Sequence, residues 1–582
     1  MLAHQEVRKF CNMADAMSFA APMKLEVTDK NMKTPRPRII LIIGTILTAL
    51  ILARLIYINT INTDFLAKQM STRINRTITI PAMRGTIVDR NNNPLAVSTP
   101  VASIWVDPSE LDDLDANTLH KLASILNIPV AEITSKVSDK DKTFVYLKRA
   151  IAPEQAKLIN ELGIDGVYSM QEFKRFYPSG IVTAHVVGFN NIDDRGSEGI
   201  EYANDKNLIG HDGVQQIVRD RQGQTIENVG QGQPATNGKT VQLSIDNRIQ
   251  YIAYNALKHQ VDKYHAKGGS VVVLDAKTGE VLSMVNWPTY NPNNRANATL
   301  DKLRNRAAID LYEPASTMKP LIVAKALDMG IVTPTTVFGT MPYRVGPKII
   351  RDVRDHARMT VSEIIEKSSD VGVSKIAFQM KAENIWKFDH AAGFGQKVGT
   401  KFPGEARGNL RPWQKWYPID IASMSYGYAI SVSLMQMARS YSIFTNNGCL
   451  LPISFYKANN NDKANCTQVI SSKAANTMRG ILSKATEDGT GKLAQIDSYT
   501  TAGKTGTAHK LAPQGGYAAH SYVGSFVGFA PATDPKLIIA IMIDEPHGAH
   551  FGGTVAAPVF AEIAGPSLHL LGVAPDRKDS EN

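Results

Sequence analysis

The sequence predicts an α+β protein built from a single transmembrane helix, an extended α+β region that we call the pedestal, and a larger domain in which helices cover an antiparallel sheet. Three observations predict this arrangement. One apolar run stands near the N-terminus, strand-like and helical patches mix through residues 59–235, and strand-like runs flank a helix-rich stretch in residues 240–573. Strands split around helices in this way are typical of one sheet covered by helices.

The composition excludes several classes of protein. The chain has 582 residues, of which 43% are hydrophobic and 20% are charged, so it is neither largely disordered nor collagen-like. Its three cysteines are too few for a disulfide-built scaffold or an array of zinc fingers. The net charge of +10 favours anionic surroundings such as a membrane face or a cell wall. No strong nucleic-acid motif accompanies that charge, so we expect no nucleic-acid partner.

The apolar run, residues 39–58, has the length that spans a bilayer, which takes about 20 apolar residues. It carries one charge, Arg54, near its end. A buried core helix and a cleaved signal peptide are the alternatives, although no A-x-A cleavage site follows the run. More cations lie just before the run than after it: Lys24, Lys30, Lys33, Arg36 and Arg38 against Lys68 and Arg73. This excess predicts that residues 1–38 form a cytoplasmic tail and that the rest of the chain lies outside the cytoplasm.

The elements of the larger domain, residues 240–573, follow in order. Apolar residues repeat at helical spacing after Asp246, a candidate N-cap. Two apolar runs then flank a glycine-containing turn in SVVVLDAKTGEVLSMVN, which predicts a hairpin. Three more strand-like runs, TTAGKTGTA, YVGSFVGFA and LIIAIMID, lie near the end of the domain. Residues 574–582 are polar and are expected to form a flexible tail.

A serine and a lysine, Ser316 and Lys319, stand three residues apart in EPASTMKPLIVAKALDMG, a segment that predicts a helix ending at Gly330. Residues at this spacing share one helix face, about 5–6 Å apart. A serine hydroxyl becomes a nucleophile when a neighbouring base takes its proton, and a lysine can be that base when its pKa is depressed. S-x-x-K also arises by chance, so alone it predicts only an amphipathic helix.

A second polar motif is formed by Lys504, Thr505, Gly506 and Thr507, which lie in a strand-like run. Alternation along a strand puts the lysine and the glycine on one side and the two threonines on the other. An edge strand of this kind can offer hydroxyls, a cation and N–H groups to an extended anionic ligand. The glycine permits close approach of the backbone. A plain polar edge strand is the alternative.

The third motif, Ser368-Ser369-Asp370, lies between two helical patches and alone predicts only a helix cap. The order of the motifs is more specific, because S-x-x-K followed by S-x-[ND] and then K-T-G is the signature of penicillin-recognising serine enzymes. With RGTIVDRNNNPLAVS, RFYPSG and GSEGIEYAND in the pedestal, the chain resembles the class B penicillin-binding proteins. Among them it is similar to the division-septum transpeptidases of the penicillin-binding protein 3 type.

The resemblance implies acyl transfer by a serine enzyme of the bacterial inner membrane, with its catalytic domain in the periplasm at the division septum. Ser316 would attack the carbonyl between the last two D-alanines of a peptidoglycan stem peptide, and the acyl group would pass to an amine of a neighbouring stem. Lys319 would be the general base, Ser368 would relay protons, and Lys504 would help to keep Lys319 neutral. The N–H groups of Ser316 and Thr507 would form the oxyanion hole. No metal or cofactor is implied.

The resemblance also implies ligands and partners. Thr505 and Thr507 would hold the terminal carboxylate of the substrate, or that of a β-lactam bound covalently at Ser316, and Gly506 lies between them. Three aromatic residues are candidates for the walls of the cleft, with simple core or rim packing as the alternative: Tyr426, Tyr428 and Phe551. The pedestal takes the place of a glycosyltransferase module, so glycan strands would be polymerised by a multi-pass glycosyltransferase. That enzyme and other division proteins are the expected protein partners.

Two residues depart from the usual pattern of the division family. Asp370 stands where asparagine is usual, and an ionised aspartate near Lys319 would favour the charged amine, the wrong form for a base. Either Asp370 pairs mainly with Lys504, or the base role of Lys319 is weaker. Ala315 stands where glycine is usual, which costs stability if the position needs a positive φ.

Three other functions remain open. Elongation-type enzymes carry S-x-D, so Asp370 keeps a role in side-wall elongation as an alternative. A non-catalytic scaffold or β-lactam sensor is a second alternative, which the intact Ser316, Lys319 and Lys504 oppose. A β-lactamase-like hydrolase is a third, which the membrane anchor and the pedestal oppose.

Two structural expectations complete the prediction. Buried pairs in the pedestal are expected for five charged residues, with a partner-contact surface as the alternative: Arg84, Asp89, Arg90, Glu198 and Glu201. Cys449 and Cys466 flank a predicted hairpin in an oxidising compartment, where a disulfide could join them.

Overall fold

The computed structural model describes residues 35–58, 75–111, 114–219, 225–228, 232–458, 465–512 and 514–577. The chain divides into two compact units, which are Met1–Ile78 with Gln216–Gln231, and Thr79–Gln215 with Gly232–Asn582. The α-helices are α1 Pro35–Ile56, α2 Ala116–Leu126, α3 Val130–Val137, α4 Pro153–Asn160, α5 Ala184–Val187, α6 Gly199–Ala203, α7 Asp205–Leu208, α8 Asn247–Lys263, α9 Leu300–Leu303, α10 Arg306–Ile309, α11 Lys319–Asp328, α12 Val361–Glu366, α13 Asp370–Met380, α14 Ala382–Ala391, α15 Pro418–Ser425, α16 Leu434–Ser440, α17 Ser442–Thr445, α18 Ser472–Glu487, α19 Gly552–Val555 and α20 Ala557–Leu570. The strands are β1 Asn75–Ile80, β2 Ile87–Val88, β3 Pro94–Val106, β4 Val145–Ile151, β5 Val167–Phe176, β6 Gly213–Arg219, β7 Thr225–Asn228, β8 Val241–Gln242, β9 Gly268–Asp275, β10 Val281–Trp287, β11 Val337–Gly339, β12 Tyr343–Val345, β13 Lys348–Ile350, β14 Arg358–Thr360, β15 Cys449–Leu450, β16 Thr467–Gln468, β17 Ala502–Leu511, β18 Tyr517–Ala530 and β19 Leu537–Asp544.

The first unit contains the predicted transmembrane helix. Its segment Arg38–Ile56 is long and apolar enough to cross a membrane, and none of it is buried inside the protein. That exposure excludes the buried core helix and fits a single-pass membrane anchor. The helix begins at Pro35, so residues 35–38 of the predicted tail belong to it, and it ends at Ile56, two residues before the predicted boundary. The remainder of the predicted tail, residues 1–34, lies outside the described residues.

In the second unit, the pedestal is built on the long strand β3. Strands β4 and β5 both pair with β3, and the sheet continues from β3 through β2 to β8. Helices α2, α3 and α4 cover one face of this sheet, with Ile104 and Val106 of β3 packed against Leu122 and Ile133. These apolar side chains point from β3 towards the covering helices and form a buried core with them.

A buried cluster of charges lies in the pedestal. The Arg84 guanidinium contacts Glu201 at 2.7 Å and Asp205 at 2.8 Å, and Arg175 contacts Glu201 at 2.6 Å. The side chains of Arg84 and Glu201 are both fully buried. Burial disfavours the guanidinium charge, but the Glu201 and Asp205 carboxylates raise the pKa of Arg84 above its ordinary value. The predicted pairing is therefore confirmed for Arg84 and Glu201.

For the other predicted members of these pairs the outcome differs. Arg90 forms its ion pair with Glu280, at 3.4 Å. The prediction is wrong for Asp89, because its buried carboxylate accepts hydrogen bonds from the N–H groups of Asn91 and Asn93 and so closes a turn. It is also wrong for Glu198, which is exposed on the surface and makes no ion pair within the described residues.

The larger domain is centred on a five-stranded sheet in the order β10-β9-β19-β18-β17, with every neighbouring pair antiparallel. The central strands β9 and β19 are apolar along almost their whole length, because both faces of the sheet are covered. Helices α8 and α20 cover one face, and α11, α16 and α18 lie in the core on the other. The predicted helix after Asp246, the hairpin and the three late strands are thus confirmed.

Two details near the surface complete the fold. Cys449 and Cys466 are joined by a disulfide, and the strands β15 and β16 beside them pair as predicted. Residues 576 and 577 of the predicted tail contact the domain: the Asp576 carboxylate accepts a hydrogen bond from the Thr500 N–H at 2.7 Å, and Arg577 donates to the Ile496 carbonyl at 3.1 Å. Residues 578–582 lie outside the described residues.

Candidate active site

The Ser316 side chain lies on a tight turn. Residues Ala315–Thr317 form a short 3₁₀ segment, and the regular helix α11 begins only at Lys319. Ala315 has a φ of 48°, which right-handed helical geometry does not allow, so the helix predicted after Ala315 begins with a 3₁₀ turn and becomes regular at Lys319. Thr317 fixes the turn: its hydroxyl donates to the Pro314 carbonyl at 2.7 Å, and its own carbonyl accepts from the Tyr441 hydroxyl at 2.9 Å.

Lys319 is fully buried, and its amine contacts the third motif. Its Nζ donates to the Ser368 carbonyl at 2.5 Å and to the Ser368 hydroxyl at 3.2 Å, and it lies 2.6 Å from Oδ1 of Asp370. Three acceptors match the three N–H donors of an ammonium group. The first alternative for Asp370 is therefore wrong, because its carboxylate pairs with Lys319 and not mainly with Lys504.

The turn that carries Ser368 is held by a carboxylate that sequence reasoning missed. Ser368 has a φ of 63°, and Ser369 caps α13 by accepting a hydrogen bond from the Gly372 N–H at 2.8 Å. Asp352 accepts from the Ser369 hydroxyl at 2.5 Å and from the Val371 N–H at 2.9 Å. The latter N–H group belongs to the first turn of α13, which leaves such donors unpaired. Nothing in the local sequence around Asp352 indicates this contact.

The K-T-G motif lies on β17, the edge strand of the central sheet. A Cβ added to Gly506 would come within 2.9 Å of the Pro314 carbonyl and 3.0 Å of the Thr317 methyl group. The glycine is thus needed because the turn of Ser316 packs directly against the strand. On the other side of β17, the Thr507 hydroxyl accepts from the Gly552 N–H at 3.0 Å, and Thr505 lies 2.8 Å from the Thr490 hydroxyl.

Lys504 is the second buried lysine of the site. Its Nζ donates to the hydroxyls of Thr505 at 3.2 Å and Thr490 at 3.3 Å, and it has no carboxylate within ion-pair distance among the described residues. Burial and the positive charge of Lys319 lower the pKa of Lys504 well below its ordinary value, and the Asp370 carboxylate opposes this only in part. This differs from the prediction that Lys504 helps to keep Lys319 neutral. In the structure, Lys319 pairs with Asp370, and the charge of Lys319 disfavours the charge on Lys504.

The aromatic residues lie on two sides of the site. Tyr426 and Tyr428 flank Gly427, whose carbonyl accepts a hydrogen bond from the Ala315 N–H at 3.0 Å, so this loop backs onto the turn of Ser316. Burial raises the pKa of Tyr428 to about 12. Phe551 is half exposed and lies next to Gly552, beside β17.

The resulting arrangement is a serine between two buried lysines. The Ser316 hydroxyl is partly exposed and makes no hydrogen bond within the part of the chain that the structure describes. The lysines, Ser368, Asp370 and the K-T-G strand surround its turn. Such a hydroxyl is free to meet a substrate, and the nearby cations favour the negative charge that develops in acyl transfer.

Comparisons with known proteins agree with this geometry. Residues 269–565 match the family described as the penicillin-binding protein transpeptidase domain, and residues 79–243 match the penicillin-binding protein dimerisation domain. The chain belongs to the penicillin-binding transpeptidase family. This penicillin-binding protein therefore contains the transpeptidase domain and the pedestal-type domain that its sequence predicts, following an apolar helix.

Relatives and solved structures cover most of this penicillin-binding protein. It is 39% identical to the probable peptidoglycan D,D-transpeptidase PenA of Neisseria meningitidis over 96% of both chains. It is 37% identical to the peptidoglycan D,D-transpeptidase FtsI of Escherichia coli, over 93% of this chain and 92% of that one. The transpeptidase domain of Burkholderia pseudomallei penicillin-binding protein 3 is 41% identical, with a TM-score of 0.54 over 58% of this chain and 98% of that one.

Proposed function

We propose that this protein is a peptidoglycan D,D-transpeptidase that crosslinks stem peptides through an acyl-serine intermediate at Ser316 and that β-lactams acylate at the same residue. The observation that carries the proposal is the unbonded Ser316 hydroxyl on a turn packed between the buried amine of Lys319 and the edge strand of Lys504. The names of the relatives from Neisseria meningitidis and Escherichia coli support the substrate class.

In the acylation step, Ser316 Oγ attacks the carbonyl carbon of the penultimate D-alanine. The neutral amine of Lys319 accepts the hydroxyl proton, and the backbone N–H groups of Ser316 and Thr507 stabilise the oxyanion, at about 3–4 kcal/mol for each donor. The C–N bond then breaks. The proton passes through the Ser368 hydroxyl, 3.2 Å from Lys319 Nζ, to the leaving amino group, and D-alanine departs.

In the transfer step, an amine of a second stem peptide attacks the ester carbonyl. The amine loses a proton to the base, the C–O bond to Ser316 breaks, and the serine oxygen regains a proton. A new amide bond joins the two stems. Water must be kept from the ester for transfer to exceed hydrolysis, a task that we assign to Tyr426, Tyr428 and Phe551.

Asp370 moderates this chemistry. Its carboxylate, 2.6 Å from Lys319 Nζ, stabilises the ammonium form, which cannot accept the serine proton. Acylation therefore requires the neutral form of Lys319. The terminal carboxylate of the substrate binds Thr505 and Thr507 beside Lys504.

We further propose that the protein acts at the division septum, from a single anchor in the inner membrane with its N-terminus in the cytoplasm. The similarity to Escherichia coli FtsI supports this role. A multi-pass glycosyltransferase and other division proteins are the proposed partners, because the pedestal replaces a glycan-polymerising module. Side-wall elongation is the second candidate, favoured by Asp370. Depletion distinguishes them, since filaments indicate division and round cells indicate elongation.

The enzymatic test uses the full chain in detergent with a D-alanyl-D-alanine pentapeptide and an acceptor amine. We expect stoichiometric release of D-alanine and formation of an amide bond between the remaining tetrapeptide and the acceptor amine, both lost in Ser316→Ala. Release of D-alanine with water as the only acceptor would indicate a hydrolase. No release by a folded wild-type protein would indicate a scaffold or sensor.

A further inference from the structure

A strongly basic segment lies close to the candidate active site. Its five cations, which we call the basic rim, are on the hairpin β12–β13, in the loop that follows and at the start of β14: Arg344, Lys348, Arg351, Arg354 and Arg358. All five side chains are exposed. None of them forms an ion pair with a carboxylate of the described residues, although long charged side chains elsewhere on the surface do, as Lys258 does with Asp262.

The segment packs against the helix that begins with Asp370. The Tyr343 hydroxyl lies 2.8 Å from the Ser374 hydroxyl of α13, and Val345 and Ile350 pack in one cluster with Val371. Asp352, between two of the rim arginines, binds the first turn of the same helix. The rim is therefore fixed to the structure that positions Ser368 and Asp370.

The rim also extends towards the turn of Ser316. Burial raises the pKa of Glu313, and the Ala429 N–H, the Tyr517 hydroxyl and the charge of Lys348 oppose that effect. Lys348 is thus close enough to Glu313 for their charges to interact. Glu313 in turn accepts a hydrogen bond from the Ala429 N–H at 2.9 Å, on the loop that backs onto the nucleophile.

The charges of this segment are not balanced within it. Two carboxylates accompany the five cations, and one of them, Asp352, is occupied by the N-terminus of α13. Only Asp355 remains. Surfaces that are merely solvated usually intersperse both signs, because like charges repel one another. A concentration of unpaired arginines is instead typical of sites that bind carboxylates or phosphates, which the guanidinium group can hold through two parallel hydrogen bonds.

We propose that the basic rim binds the carboxylates of an acidic stem peptide and so selects that substrate over its neutral analogues, an inference that rests on the proposed function. The rim lies on the helix side of the site, beside Asp370, whereas Thr505 and Thr507 on β17 are assigned to the terminal carboxylate. A peptide that reaches Ser316 can therefore present its remaining carboxylates to the rim. A basic patch that bound anionic lipid would not need these contacts with the helix that begins at Asp370.

The test separates binding from chemistry by using the full chain with Ser316→Ala, which cannot be acylated. The probes are a fluorescent pentapeptide ending in D-alanyl-D-alanine with two further carboxylates, and the same peptide with those carboxylates amidated. The variant combines Arg344→Gln, Arg351→Gln and Arg354→Gln. The matched controls are the same three positions changed to lysine, and Lys263→Gln on α8, which packs on the opposite face of the sheet.

We expect the acidic peptide to bind the unchanged rim more tightly than the amidated one, and the glutamine variant to lose about fivefold in affinity for the acidic peptide only, the size expected for several exposed charge contacts. The lysine variant and Lys263→Gln should keep the preference. The preference should also weaken at high salt, because exposed charges are screened.

Two results would overturn the inference. Equal affinity of the unchanged rim for both peptides is the first. The second is a glutamine variant that keeps the peptide preference but loses binding to vesicles of phosphatidylethanolamine and phosphatidylglycerol, which would assign the rim to a membrane. Failure of the proposed function is separate, since it would appear as no acylation by penicillin in the protein with Ser316 intact, whatever the peptides do.

Discussion

Two clusters of buried charge, one in the pedestal and one in the transpeptidase domain, differ in how their charges are balanced. In the pedestal, Arg84 and Arg175 share Glu201, and Asp205 adds a second carboxylate. In the active site, Lys319 and Lys504 are both buried, but Asp370 contacts only Lys319 and is itself partly exposed. The pedestal cluster balances its own charges, whereas the active-site cluster leaves the buried amine of Lys504 without a carboxylate of its own among the described residues.

The largest effect is expected in the pedestal. Glu201→Gln removes a carboxylate that two buried arginines share, and it should lower the free energy of unfolding by about 3–5 kcal/mol because the guanidinium charges stay buried. Thermal and denaturant unfolding of the full chain measure the change. Glu198→Gln is the control, because Glu198 is exposed and unpaired within the described residues, and it should change stability by less than about 0.5 kcal/mol. If the two substitutions lowered the free energy of unfolding equally, the buried carboxylate of Glu201 would not be stabilising the pedestal as described.

The opposite result is expected for Lys504. Lys504→Met should reduce the rate of acylation by about a hundredfold to a thousandfold, as the loss of a group that stabilises developing negative charge does. The same substitution should raise the melting temperature at neutral pH, because it removes a buried amine whose charge burial and Lys319 disfavour.

The pH dependence sharpens this prediction. The pKa of Lys504 is lowered in the folded state, so the unfolded chain binds more protons and stability rises with pH towards the ordinary lysine range. The advantage of the methionine variant should therefore shrink as the pH is raised. A methionine variant that is less stable than the wild type at neutral pH would contradict the account.

Asp370 offers a smaller test of the active-site cluster. Asp370→Asn removes the negative charge beside Lys319, so the neutral amine becomes more accessible. We expect penicillin to acylate Asp370→Asn faster than the wild type at neutral pH, because the carboxylate that contacts Lys319 Nζ is gone. Stopped-flow measurements give the acylation rate of both proteins. A rate that is unchanged or lower in the variant would contradict the inhibitory role assigned to Asp370.

The arrangement of these clusters could be predicted from the sequence only in part. The sheet and its covering helices were predictable, because β9 and β19 are nearly continuous apolar runs and α8 follows a capping aspartate. The partners of charged residues were not, since Arg84 and Glu201 are 117 residues apart in the chain. The contacts of Asp352 with Ser369 and Val371 could not be predicted for the same reason, because these residues are 17 and 19 positions away in the chain. Which lysine Asp370 contacts also depends on packing between the helices α11 and α13.

Backbone conformation is the second feature that residue patterns do not predict. From the sequence, alanine at position 315 is expected to cost stability only if the position needs a positive φ, and in the structure Ala315 has a φ of 48°. The helix predicted after Ala315 does not indicate this value, because the residue lies just before the helix. Ser368 has a φ of 63°, which its motif does not indicate. Such conformations are set by the surrounding contacts and cluster at functional sites.

The smallest expected effect on the free energy of unfolding comes from the positive φ of Ala315. Ala315→Gly should raise the free energy of unfolding by about 0.5–1 kcal/mol, because alanine at a positive φ costs about 1–2 kcal/mol and glycine loses part of this gain to chain entropy. Ala326→Gly, inside α11, is the matched control and should instead lower it by about 1 kcal/mol. Loss of stability in Ala315→Gly would contradict the strain assigned to the turn.

The most direct test of the central claim is the intact mass of the full chain after incubation with benzylpenicillin, followed by peptide mapping. We predict one stable adduct per chain, located on the peptide that contains Ser316 and absent from Ser316→Ala. No adduct on a folded wild-type protein, or an adduct that persists in Ser316→Ala, would contradict the assignment of Ser316 as the activated nucleophile.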